Sequence, residues 1–214
     1  MNLSPSLSQS LSQSLTIAIA TTLLWSGLTP SARSETIQAE ASSSSSVPFD
    51  SMAYWQQRTV WRTVEVPTGG FSILMPEQPR YFTQGSSDAP LEEQNFVTAI
   101  ESSYGALYMV GWSGAPRAIA WDTAAQAELF EDERQALIHN FDGELLQAED
   151  VEIRGNPGKG YKLLGQVDGE PYVMTHRSYL MGDRLYQITV VVPASRAPGF
   201  VGMAEGFIQS FQPL

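Results

Sequence analysis

From Trp61 onward the chain breaks into short apolar runs separated by Gly, Pro and Asp, a rhythm that predicts strands more often than helices. Trp61 to Val66 reads as a strand, stopped by Pro67 and the Gly69-Gly70 turn. Phe71 to Met75 is a second strand, closed by Pro76 and Pro79, and Arg80 to Thr83 a short third. Gln94 to Ser103 and Ala106 to Trp112 predict two more, joined across Tyr104-Gly105. Glu144 to Arg154 predicts another, and Gly155 to Gly160 reads as a glycine-rich turn leaving it. A three-stranded meander follows. Tyr161 to Val167 turns at Asp168-Gly169 into Pro171 to Met181, which turns at Gly182-Asp183 into Arg184 to Val192. The Asp-Gly pair is a strong hairpin signal because both turn positions need φ > 0.

Two segments carry the helical period instead. Thr123 to Phe141 opens with Thr123 and Gln126 in capping-box spacing, and Gly143 supplies a stop. Leu129, Phe130, Leu137, Ile138 and Phe141 recur along it at helical intervals, with Glu131, Asp132 and Glu133 expected to face mostly outward. Near the end, Phe200, Met203, Ala204, Phe207, Ile208 and Phe211 form one apolar stripe, with Pro213 as the expected terminator. Many strands, tight turns and two helices predict an α+β fold: a largely antiparallel sheet covered by helices rather than a parallel doubly wound one.

The N-terminal quarter differs in kind. Leu15 to Leu28 is apolar and uncharged but short for a membrane span, and Ala32 and Ser34 fit the small-residue positions before a cleavage site. The expected organisation is a signal peptide over 1–34, a Ser-rich flexible linker over 35–56, which includes Ser42 to Ser46, and one domain over 57–214. The segment ahead of Leu15 lacks Lys and Arg, so a retained N-terminal anchor is the alternative. With cleavage, the protein is expected to be exported and not itself to insert into a membrane. The formal net charge of −11 argues against nucleic acid and anionic lipid as partners, and the absence of Cys excludes disulfides, a thiol nucleophile and a lipidated N-terminal cysteine.

Chemical motifs are few. Gly111-Trp112-Ser113-Gly114-Ala115 approaches the G-x-S-x-G nucleophile elbow, but ends in Ala115 and has no helix directly after it. Gly155-Asn156-Pro157-Gly158-Lys159-Gly160 lacks the G-K-[ST] ending of a phosphate loop. His139, at a helix C-terminus, complements the helix dipole. Counting back from the two hairpin turns sets Tyr161, His176 and Thr189 side by side on one sheet face. That row is the candidate ligand-binding site, a satisfied cross-strand polar row being the alternative. Two histidines without cysteine give no metal-ligand spacing, so neither a metal nor another cofactor is expected. Trp112 and Trp121 read as packing residues.

Gly160-Tyr161, His176-Arg177, Gly182-Asp183-Arg184-Leu185-Tyr186 and the closing Phe207-Ile208-Gln209-Ser210-Phe211 together resemble the PsbP-like family. Gly70-Phe71-Ser72-Ile73-Leu74-Met75-Pro76 resembles the opening of related exported bacterial proteins, many cyanobacterial. The resemblance spans Trp61 to Phe211 in outline, on short motifs. It implies an α-β-α sandwich with a central antiparallel sheet flanked by helices. It also implies a non-enzymatic extrinsic protein that assists a protein complex at a membrane surface, such as photosystem II. The same fold serves a nuclear-import factor that binds a small GTPase, so it fixes no single role. A periplasmic small-ligand carrier and a hydrolase built on Ser113 are the competing functions.

Overall fold

The structure, a computed structural model, describes residues 60–76, 79–84, 94–101, 104–113, 123–182 and 184–214. The expected signal peptide, its cleavage site and the linker lie outside these residues, as do Trp121, Asp183 and the Gly114-Ala115 end of the serine motif. The strands are β1 (Trp61–Val66), β2 (Phe71–Pro76), β3 (Arg80–Gln84), β4 (Gln94–Glu101), β5 (Ala106–Ser113), β6 (Glu144–Ile153), β7 (Asn156–Val167), β8 (Glu170–Met181), β9 (Arg184–Pro193) and β10 (Gln212–Pro213). Two helices join them, α1 (Thr123–Asn140) and α2 (Ala197–Gln209).

Seven strands form one antiparallel sheet in the order β3-β4-β5-β9-β8-β7-β6. After β5 the chain passes through α1 to the far edge, β6, and the β6–β9 meander returns to lie beside β5. Arg154-Gly155 and Asp168-Gly169 have φ of 50° and 79°, and of 52° and 82°, so both two-residue turns use the left-handed region.

The helix-flanked α-β-α sandwich does not hold. A second sheet, β1-β2-β10, shares one side of the large sheet with α2, and the fold is sheet-dominated. The reason is coverage. A thirteen-residue helix such as α2 is roughly 20 Å long, while seven strands span roughly 29 Å. The remaining apolar face is covered by β2, whose alternating Phe71, Ile73 and Met75 are fully buried against Tyr108, Val110 and Ile188. Phe71 meets Trp112, Tyr186 and Phe211 with ring centroids 5.3, 6.1 and 5.2 Å apart. On the opposite face α1 buries Leu137, with Phe141 just beyond it, against Leu107, Met109, Leu163 and Met174.

Three local readings also change. Asn156 to Gly160 is the start of β7, not a turn; the turn is Arg154-Gly155 alone. Glycine is needed inside that strand, because a Cβ on Gly158 would lie 2.2 Å from the Ser178 carbonyl oxygen. Helix α1 is ended by Asp142 at φ 43°, with the Gly143 N–H donating to the Ile138 carbonyl and the Asp142 N–H to that of His139, a Schellman closure in which Gly143 is one residue past the left-handed position. Helix α2 stops at Gln209 instead of running to Pro213. The Ser210 hydroxyl donates to the Phe207 carbonyl (2.6 Å) and accepts the Leu74 amide (3.0 Å), steering the chain into β10.

Candidate binding site

Strand register brings the three predicted site residues together. Tyr161 pairs with His176, and His176 with Thr189, across β7, β8 and β9. The Tyr161 and His176 rings stack with centroids 6.2 Å apart, and His176 Nδ1 lies 2.9 Å from Thr189 Oγ1. The row lies beneath α1, however, and His176 and Thr189 are 0% and 1% exposed. It presents no open surface to a ligand.

Glu133 of α1 closes the cluster, and it is the residue that sequence reasoning placed on the wrong side. Its carboxylate accepts the Gln187 amide (2.7 Å) and the Ser178 hydroxyl (2.5 Å), and lies 3.3 Å from His176 Nε2. With the proton on Nε2, His176 donates to Glu133 and accepts the Thr189 hydroxyl at Nδ1. The Tyr161 hydroxyl donates to the Phe130 carbonyl at 2.9 Å. Burial, then the charge of Glu133, pushes the Tyr161 phenol well above its ordinary value and keeps it neutral. The row is thus a satisfied polar network that fixes α1 to the sheet. A signal for Glu133 existed: it is three residues after Phe130 and four before Leu137, on the buried stripe itself. Its neighbour Glu131 does face solvent, and Arg134 and Gln135 hold its carboxyl down to about 2.

The other face is covered over β9 but left partly open over β7 and β8. Beside α2 a groove of about 160 Å³ is floored by β6, β7 and β8 and roofed by the helix. Its floor carries Gln147, Lys162 and Thr175 in one cross-strand row, and Glu149, Gly160 and Arg177 in the next. Arg177 Nη2 ties floor to roof, 3.3 Å from Glu149 and 3.1 Å from Glu205 of α2. Val173 and Val192 below, with Phe200, Val201 and Ala204 above, make the apolar part. Chain alternation accounts for the two faces: Tyr161, His176 and Thr189 point to α1, and their neighbours Lys162, Thr175 and Arg177 to α2.

The serine motif has a packing explanation. Ser113 ends β5 and its Oγ accepts the Leu185 N–H at 3.1 Å, with no hydrogen bond to either histidine. Gly111 is small because a Cβ there would come within 3.0 Å of the Phe96 ring. Among the described residues no cluster of three or more His, Cys, Asp or Glu is placed to hold a metal ion.

No family model matches the sequence, and no curated protein matches it. Solved structures do. The cyanobacterial PsbP (CyanoP) of Synechocystis sp. PCC 6803 superposes with a TM-score of 0.52 over 72% of this chain and 92% of that one, at 10% identity. The chain shares the PsbP-like fold in outline. Looser likenesses are to LpqN of Mycobacterium tuberculosis (TM-score 0.46, 9% identity, 72% of this chain and 91% of that one) and to the Ran-binding protein Mog1p of Saccharomyces cerevisiae (TM-score 0.43, 14% identity, 72% of this chain and 96% of that one). At 10% identity the likeness to CyanoP shows the fold alone.

Proposed function

We propose that the protein is an exported, non-enzymatic binding or assembly protein that joins a protein complex at the outer face of a membrane. The observation that carries this reading is the contrast between the two faces of β7 and β8. The polar row with the reactive side-chain types is sealed under α1 and hydrogen-bonded internally, while the open face offers a groove with mixed charged and apolar walls. Such a surface suits recognition. The apolar Leu15 to Leu28 and the Ala32-x-Ser34 spacing support export with cleavage before Glu35. The net charge of −11 disfavours direct adhesion to anionic lipid and favours a partner with a basic surface, held by contacts that salt screens. Given the PsbP-like fold, photosystem II is the complex to test first.

The experiment is fractionation of native membranes at low and high ionic strength, followed by co-purification and N-terminal sequencing. The expected result is a mature chain starting at Glu35, retained with one complex at low salt and released at high salt. A chain fully soluble and partnerless at low salt overturns the reading. So does turnover of an ester or peptide substrate that Ser113→Ala abolishes.

A further inference from the structure

We propose that the groove between α2 and strands β6, β7 and β8 binds a small amphiphilic monocarboxylate, with its carboxyl group on Lys162 and its apolar body against α2. This rests on the binding-protein reading above and adds the chemistry of the ligand.

The floor supplies the donors. Register sets Gln147 opposite Lys162 and Lys162 opposite Thr175, so an amide, an ammonium and a hydroxyl stand in line across three strands. Among the described residues none of these three side chains has a hydrogen-bond or ion-pair partner, although all three line the groove. The neighbouring cation is different in kind: Arg177 is held between Glu149 and Glu205. Lys162 is therefore the groove's cation without a direct ion-pair partner, and a carboxylate is the group that would pair with it while accepting from the flanking donors.

The rest of the groove limits what can be attached to that carboxylate. Val173 and Val192 lie one step along the strands from Lys162 and Thr175, and Phe200, Val201 and Ala204 close the space from above, so the body is apolar. Glu149 and Glu205 stand on the other side and repel a second negative charge, which excludes dianions. Gly160 keeps this end passable, since a Cβ there would lie 2.8 Å from Glu149 Cγ. The volume, about 160 Å³, matches the roughly 150 Å³ cavity that holds a benzene ring. Benzoate or a short-chain fatty acid fits, and so does the C-terminal carboxylate of a peptide with an apolar last side chain.

The test is an NMR titration of the purified mature protein with benzoate, benzamide and a pair of peptides ending in Leu, one with a free and one with an amidated C-terminus. Benzoate is expected to shift the Val173, Val192 and Ala204 signals along a saturating curve, benzamide to leave them in place, and Lys162→Gln to weaken benzoate by about tenfold or more. Lys159→Gln, a nearby lysine paired with Asp150 outside the groove, should bind as the parent does. Tighter binding of the free-acid peptide than of benzoate assigns the site to a partner chain's C-terminus; the reverse assigns it to a free acid. Equal binding of benzoate and benzamide, unsaturable shifts, or an unaffected Lys162→Gln variant overturns the proposal. Salt-reversible co-purification is read independently, so a groove that ignores carboxylates while the complex still forms removes this inference and leaves the binding-protein reading standing.

Discussion

Glu133 reaches from a helix to accept hydrogen bonds from side chains on two strands, and all of these groups are buried. Glu133→Ala leaves the Ser178, Gln187 and His176 donors without an acceptor in a site too closed for ready hydration. The expected loss is about 3–5 kcal/mol, read as a fall in the chemical-denaturation midpoint. A midpoint equal to the parent's would show that α1 is held by its apolar contacts alone. Tyr161 makes a second prediction at this scale. Its phenol titrates well above the usual value in the folded protein, first because of burial and then because of Glu133. In the unfolded chain it titrates near about pH 10. A raised folded value means that its contribution to stability is complete below about pH 10 and is lost as the pH climbs beyond it. Tyr161→Phe removes the ionising group, so its stability should fall less steeply above about pH 10 than the parent's. The slope should not vanish, because Tyr108, shifted upward by burial and by Glu101, remains. Parallel slopes in denaturation series across that range would overturn the assignment.

Among the elements, α2 was the most legible. The stripe Phe200, Ala204, Phe207, Ile208 and Phe211 is buried as its period predicts, with Met203 half-buried at its edge. Phe207 lies at the centre of that stripe, its ring 5.1 Å from Tyr108. Phe207→Ala is expected to cost about 3–5 kcal/mol, checked by denaturation against the parent. An unchanged midpoint would mean that the helix does not pack on the sheet. Other elements were read less well, for identifiable reasons. The start of β7 contains Pro157, Gly158 and Gly160, which locally spell a turn; the demand for glycine comes from Ser178 and Glu149, on the neighbouring strands. Strand β10 has two residues, too few to show a period of two, and exists because β2 lies alongside it.

Across the whole molecule, strand positions were largely visible and their distribution between sheets was not. Pairing of β10 with β2 joins residues about 140 apart in sequence, and no local pattern encodes it. The candidate site divides in the same way. Hairpin turns fixed the Tyr161–His176–Thr189 register, because a two-residue turn sets every pair that follows. Which face α1 would cover depends on tertiary packing, so the row that looked like a site is interior. The open groove belongs to the residues one position further along the same strands. Charge arrangement also matters at this scale: Glu144, Asp150 and Glu152 lie on β6, one of the two edge strands of the large sheet, where acidic side chains discourage edge-to-edge pairing between copies.

The three-stranded sheet has a consequence for when the protein can fold. Phe71 is buried against the tilted ring of Phe211, and Gln212 and Pro213 pair with β2 beside it. A nascent chain that has not yet emerged past Gln209 has nothing to put in that position, and its first strands wait with an apolar face open. The three-stranded sheet therefore cannot be completed until residues 211–213 have been made.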